Sequence, residues 1–445
     1  MISSLIKRMF FFLAVFFNTF GYAQEIPKDS IFLSLDDAWS KAEIYSKALK
    51  VQHLKTEIGK ENILDAKNKR LPSVDFDASY GKLSNIPVFV NGINNNAEFI
   101  HLEDHSTYDA SVSAYFNIYA GGSKRTAIKS AEASKAFLEH IEEETSDQLH
   151  LEVIQYYVSL QRSYQYENLV KQNIKQNAER VRLIEQLFKN GVVLKSDLLR
   201  AKLQLAKLQT QLVTIENDLV IVTQSLNILL GNEDDTLLIP SDTIQTKDIA
   251  IDKNYDSFVS ETLSQSPLEK MAEKQITLSE LKTDALKADK LPKIGFFGSY
   301  TYSYPQIQLY PYEQAPYLLG IAGIKLSYDI SALYHDKHKE KAAEIEVEQQ
   351  KIAKEHVDDN LRKQVKTAYS RFKEDVIKIE VAEENIQSAQ ENYRIVKQTY
   401  FNQLSLLTDL IDADTQQLEA HFELINNQIA AKVHYYQLLK ISGKL

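Results

Sequence analysis

The sequence predicts a mainly α chain with a small transmembrane β-barrel contribution, built as two internal repeats of helix, strand pair and long helical hairpin. Three observations predict it. The 445 residues include only 13 Gly and 9 Pro, so the elements run long between turns, and a composition rich in Ala, Glu, Gln, Lys and Leu makes them helices. Sequence landmarks recur in the same order in both halves, which identifies a duplication. Short segments that alternate with period two precede each long helical stretch, which marks strands.

The chain opens with Lys7 and Arg8, runs apolar from Met9 to Phe17, and reaches Gly21-Tyr22-Ala23. This pattern predicts a signal peptide over residues 1–23. An uncleaved anchor would need a longer apolar core than one interrupted at Asn18 and Gly21. Losing Lys7 and Arg8 makes the formal net charge of −10 more negative by two, and so acidic a chain has no basic field for nucleic acid. With no cysteine, disulfides, thiol catalysis, thiolate metal sites and an acylated N-terminal cysteine are all excluded. No later apolar run is long enough for a spanning helix, so entry into a membrane would be by strands.

The first repeat is expected over 24–240 and the second over 241–445. Arg182 to Phe188, Asn190, Gly191, Ser196 and Asp197 return as Arg394 to Tyr400, Asn402, Gln403, Thr408 and Asp409, displaced by 212 residues. The same offset relates Tyr157 to Tyr369 and Gly231 to Gly443. Upstream, Leu71-Pro72, Phe76 and Tyr80 return as Leu291-Pro292, Phe296 and Tyr300 at an offset of 220. The first repeat therefore carries about eight extra residues, assigned to the polar stretch Lys82 to Thr107, because loops accept length changes that packed helices do not.

Each repeat begins with a helix. Leu35, Ala38, Trp39, Ala42, Tyr45 and Leu49 recur at helical spacing, and the pattern is read as continuous through Ile58 and Ile63 until Leu71-Pro72 stops it. Its counterpart runs from about Tyr255 to Leu291-Pro292. Strands follow at about 73–81 and 108–119, and at about 293–304 and 317–330. Apolar residues alternate with polar ones in each, and tyrosines stand at the ends, as in transmembrane strands with an aromatic girdle. An ordinary half-buried antiparallel sheet uses the same alternation.

Long hairpins are expected at about 123–231 and 333–443. No Gly or Pro interrupts Ser123 to Asn190, and a helix of that length would reach about 100 Å. Asn190-Gly191-Val192 reads as stop and turn, and Ser196-Asp197 as the cap of the returning helix. That helix carries Leu198, Ala201, Leu205, Leu208, Leu212, Ile215, Leu219, Val222, Leu226 and Leu229, a heptad seam along its whole length. The second-repeat stripe is softer, with Gln417, Asn427 and His434 among Leu410, Ala413, Leu424 and Leu438. Four strands per chain cannot close a barrel, and lipid does not tolerate an open edge. Three chains would give about twelve strands with an open lumen, two about eight with a filled one.

The order of helix, Leu-Pro, strand pair, and long hairpin with a Gly-Val tip, Ser/Thr-Asp cap and Leu229-Leu230-Gly231 ending, all duplicated, resembles the TolC family of outer-membrane factors. Tyr119-Ala120-Gly121-Gly122 after the second strand adds to the likeness, while Ser331-Ala332-Leu333 departs from a common Gly pair. The resemblance implies a homotrimer in the cell outer membrane with outer-membrane lipid around its barrel. An α-helical barrel would extend into the periplasm and dock to a periplasmic adaptor (membrane fusion protein) and an inner-membrane pump of the RND, ABC or MFS type. It implies Asp409 and Asp412 at the pore entrance, and Tyr400, Ser196 and Asp197 as closed-state contacts. It also implies adaptor contacts at Gly191, Val192, Val193, Leu194, Gln403, Leu404 and Ser405. Ser405 replaces a basic residue of the family's ion-pair lock, and Gln403 replaces a turn glycine, which suggests a differently shaped second tip. The implied activity is export of drugs or other small molecules, with type I protein secretion as the alternative.

Two other classes weigh less. An enzyme finds little support: His101 with His105 and His335 with His338 have metal-like spacing, but no carboxylate motif or phosphate loop accompanies them. No catalytic residue, cofactor or metal is expected. A periplasmic coiled-coil scaffold without a barrel would have one hairpin between β-rich modules, whereas two hairpins each preceded by a strand pair are present.

Overall fold

The computed structural model describes residues 30–100, 104–242, 254–306 and 313–445. The signal-peptide reading of 1–23 and His101 lie outside them. In the first repeat the order is β1 (Ser30–Leu33), α1 (Leu35–Tyr45), α2 (Lys47–Asn68), β2 (Ser73–Lys82), β3 (Ile86–Val88), β4 (Glu98–Ile100), β5 (Ser106–Ala120), α3 (Ser123–Lys189), α4 (Lys195–Leu230) and β6 (Leu237–Pro240). The second continues with α5 (Tyr255–Gln265), α6 (Pro267–Asp289), β7 (Lys293–Tyr304), β8 (Tyr317–Ser327), α7 (Ala332–His335), α8 (Lys337–Phe401) and α9 (Leu407–Ile441).

The opening helices are not continuous. Each breaks once, at Ser46 (φ −56°, ψ 115°) and at Ser266 (φ −56°, ψ 130°), again 220 residues apart. Ser266 precedes Pro267, whose ring excludes the helical conformation one residue before it. Ser46 takes the same extended turn without a proline, and its N–H closes the first helix on the Ala42 carbonyl at 2.8 Å. At the start of the second hairpin, Asp336 separates the single turn α7 from α8.

Two compact units form. The first comprises residues up to Ser46, Leu149–Ile251 and Ala368–Gln437. In it β1 and β6 pair in parallel, from Ser30 opposite Leu237 to Leu33 opposite Pro240. The fully buried Tyr157 of α3 holds this bridge, its hydroxyl 2.9 Å from both the Leu33 carbonyl and the Asp242 carboxylate. Gln161 donates to the Asp242 carbonyl at 2.7 Å and Tyr164 to the Leu238 carbonyl at 3.0 Å. Burial, then Asp242, holds the Tyr157 phenol above its ordinary value, so it stays a donor. Along α4 the heptad seam is buried at Leu198, Ala201, Leu208, Ile215 and Leu226.

The second unit comprises Lys47–Gln148, Asp252–Thr367 and Leu438–Leu445. Its four-stranded antiparallel sheet has the order β2-β5-β7-β8. The register puts Val74 opposite Ala114, Phe76 opposite Val112, and Tyr80 opposite Tyr108. Val112 then lies opposite Tyr300, Phe116 opposite Phe296, and Phe296 opposite Ile324. One face of all four strands is therefore apolar and solvent-facing, with Val74, Phe76, Phe296 and Ile324 exposed. On the other face Asp75 lies opposite Ser113 and Asp77 opposite Ser111. Tyr108, Tyr302 and Tyr304 stack at one end, with ring centroids 5.1–5.9 Å apart. The longer first-repeat connection carries the small hairpin β3–β4, Ile86 opposite Ile100.

Candidate functional site at the hairpin tips

Both tips lie in the first unit, and both are closed by the same backbone scheme. At the end of α3 the Val192 N–H reaches the Leu187 carbonyl and the Gly191 N–H the Phe188 carbonyl, each at 2.9 Å. At the end of α8 the Leu404 N–H reaches the Thr399 carbonyl and the Gln403 N–H the Tyr400 carbonyl, also at 2.9 Å. These paired bonds satisfy the last helical carbonyls and require a left-handed residue after the cap. Gly191 (φ 70°) supplies it freely, and Gln403 adopts it nonetheless (φ 63°). The expectation that Gln403 reshapes the second turn is corrected: its backbone follows the first, at the steric cost of a β-carbon in left-handed space.

The returning helices begin alike. The Asp197 carboxylate accepts from the Leu194 N–H at 3.3 Å, and that of Asp409 from the Leu406 N–H at 3.0 Å. A carboxylate there satisfies an orphan donor and suits the positive end of the helix dipole. Asp409 and Asp412 are exposed in the first turns of α9. Leu194 and Leu404 are 71% and 78% exposed, while Val193 packs inward and Ser405 accepts from the Thr399 hydroxyl at 3.1 Å. Ile184, Leu198, Ala201, Tyr400, Leu407 and Leu410 form the core beneath both turns.

A cavity of about 340 Å³ opens on this core, lined among others by Val193, Asp197, Tyr400 and Ser405. It brings together two of the three residues expected to make closed-state contacts; Ser196 is exposed. The Tyr400 hydroxyl is buried without a hydrogen-bond partner. Burial and then the Asp197 charge raise its pKa, so it remains a neutral donor.

Sequence reasoning missed the buried ion pair of the region. Arg180 of α3 and Asp414 of α9, 7% and 2% exposed, form an ion pair at 3.0 Å. Asn177 donates to the same Asp414 oxygen at 3.0 Å, and Arg180 donates to the Asn177 carbonyl at 3.1 Å and the Tyr393 hydroxyl at 2.9 Å. Burial pulls the Arg180 pKa down, but the hydrogen bond and charge of Asp414 outweigh it and leave it raised. The available signal was spacing: Asn177, Arg180 and Ile184 share one stripe of α3, and Asp414 follows Leu410 by four. Charged residues on an apolar stripe are buried only when paired.

Of the histidines singled out by spacing, His105 bonds the Leu83 carbonyl at 2.9 Å and His335 meets the Tyr334 ring edge-on. Among the described residues no group of three His, Cys, Asp or Glu stands close enough to hold a metal.

A family model described as outer membrane efflux protein matches residues 38–232 and 258–444. The chain belongs to that family. The outer membrane efflux proteins are channels rather than recognised enzymes, and this member is accordingly an outer-membrane protein. Solved structures share its fold. The outer-membrane channel OprN is 18% identical with a TM-score of 0.77, over 92% of this chain and 90% of that one. The Campylobacter jejuni CmeC outer membrane channel is 17% identical with a TM-score of 0.75, over 92% and 85%. The Vibrio cholerae outer membrane protein VceC is 14% identical with a TM-score of 0.76, over 92% and 96%. No curated protein matches the chain.

Proposed function

We propose that this outer membrane efflux protein acts as a homotrimer, the exit duct of a tripartite pump exporting drugs or other small molecules. The observation that carries the reading is the four-stranded sheet. It has one apolar face, and β2 and β8 each have a single partner among the described residues. Such edges cannot face lipid unpaired, so copies must supply strands to one another. Three copies give twelve strands, enough for a lumen. A second apolar line on α4, exposed at Leu199, Leu203, Val213, Val220, Ile221 and Ile228, supports helix packing between copies.

In this reading the tips form the inner end of the duct. Asp409 and Asp412 from three copies ring the entrance, where crowded carboxylates favour cations. Tyr400, Ser196 and Asp197 make the closed-state contacts. The exposed turns Gly191 to Leu194 and Gln403 to Ser405 meet the adaptor that links the duct to an RND, ABC or MFS pump.

Single-channel conductance of the mature protein in a planar bilayer tests this. Small, stable, cation-selective steps are expected, and Asp409→Asn with Asp412→Asn should weaken the selectivity. Unchanged selectivity would remove both from the entrance. No conductance from inserted protein means a sealed entrance or no barrel, and Asp197→Ala, which should raise leak conductance through a sealed channel, separates the two; silence in that variant too would end the channel reading. Cross-linking from Val193→Cys identifies the pump; a secretion-type ABC transporter in the adduct would redirect the function to protein export.

A further inference from the structure

At the helix-side end of the apolar sheet face, a cavity of about 330 Å³ is lined by Arg70, Phe116, Ile118, Tyr119, Lys124 and Arg125, among others. We propose that it seats the phosphate headgroup of an anionic phospholipid, an inference that rests on the reading of this sheet as membrane-embedded. Phe116 belongs to the apolar face, opposite Phe296. The ladder shifts register between Asn117 and Tyr119, and Ile118 and Tyr119 are both exposed. Aromatic and aliphatic side chains at the end of a lipid-facing surface, followed at once by cations on long stems, match the depth at which acyl chains give way to headgroups.

The second repeat supplies an internal comparison. Arg70, Lys124 and Arg125 make no ion pair among the described residues. The counterpart of Arg70 is Lys290, which is bonded to Glu340; Lys287 lies 3.9 Å from Glu340 and 3.8 Å from Glu344. Where the first repeat has Lys124 the second has Asp336, itself 2.8 Å from Lys339. One corner of the duplicated fold thus pairs the counterpart of Arg70 with an acid and has an acid in place of Lys124, keeping only Lys337, at the place of Arg125, without an ion pair among the described residues, while the other leaves three cations beside an apolar surface. Charge complementarity then calls for an anion, and the adjoining apolar face calls for one attached to acyl chains.

The test uses the mature full-length chain. Flotation with phosphatidylethanolamine vesicles first establishes membrane insertion. Native mass spectrometry then compares retention of phosphatidylglycerol, phosphatidylethanolamine and inorganic phosphate. Phosphatidylglycerol should be retained at least tenfold better than phosphatidylethanolamine. Arg70→Gln alone should cut that retention about fivefold, the effect of one cation near a charged lipid surface. Adding Lys124→Gln and Arg125→Gln should abolish the preference, and Lys290→Gln should leave it intact. Equal retention of the two lipids by protein that floats, or a preference untouched by either Arg70 variant, overturns the inference and leaves the membrane reading standing. Inorganic phosphate that displaces phosphatidylglycerol at equal concentration overturns the lipid source. Protein that does not float overturns both readings.

Discussion

The buried pair Arg180–Asp414 permits a quantitative prediction about the tips. Asp414 accepts from Asn177 and Arg180, each at 3.0 Å, at a site where its own side chain is 2% exposed. Asp414→Ala leaves the Arg180 guanidinium desolvated, with only the Asn177 carbonyl and the Tyr393 hydroxyl as partners. Stranding one member of a buried pair costs about 3–5 kcal/mol, whereas replacing both members with apolar residues of similar volume is close to neutral. The assay is native-state hydrogen exchange of the α3 amides around Arg180 and Ile184, which reports local opening. A loss of about 3 kcal/mol accelerates exchange roughly 150-fold. Arg180→Met combined with Asp414→Leu should restore most of the protection. A single variant less than about fivefold faster, or a double variant as fast as Asp414→Ala, would refute the view that this pair fastens the two hairpins together.

Three further outcomes are expected. Gln403→Gly should relieve left-handed strain of about 1 kcal/mol, seen as slower exchange of the Leu404 amide; no change would mean the turn carries no such cost. Tyr157→Phe should cost about 1–3 kcal/mol by leaving the Leu33 carbonyl and Asp242 carboxylate short of a donor, measured as earlier proteolysis at the β1–β6 bridge. Glu269, at the start of α6, is pushed up to about 7 by burial and the neighbouring Asp358 carboxylate, with Lys354 opposing. An acid raised in the fold keeps its proton where the unfolded chain has lost it, so its stabilisation is full below its ordinary value of 4.5 and is lost as pH rises through about 7. Exchange of the α6 amides should therefore quicken over that window beyond the intrinsic rate, and Glu269→Gln should flatten the profile.

The duplication, the four long strands and the two hairpins were legible because each rests on many residues acting in one period. Val74 to Tyr80 alternate strictly, and the α4 seam repeats over ten positions. The β1–β6 bridge was not legible: four residues are too few to show a period, and their partners lie 207 positions apart. The break at Ser46 carries no proline to announce it, whereas Pro267 disfavours a helical Ser266 and so marks the equivalent break in the sequence. At the tips, the caps at Asp197 and Asp409 followed from local chemistry, since a carboxylate near a helix start has a fixed donor to reach. The Arg180–Asp414 pair did not, because it joins helices from different repeats and depends on which stripes face each other.

The central pairing of the sheet has a consequence for symmetry and descent. β5 of the first repeat pairs with β7 of the second, so the two repeats are held by a strand-to-strand seam as well as by the continuous chain. The free edges, β2 and β8, come from the first and second repeat respectively, and a seam between copies would join the same two kinds of strand. Seams within and between copies are then interchangeable in kind. A ring of six half-length chains would satisfy the same pairing, and fusing two halves changes only which seams survive dissociation. The two halves nonetheless differ in detail: Arg70 makes no ion pair among the described residues, whereas its counterpart Lys290 is bonded to Glu340.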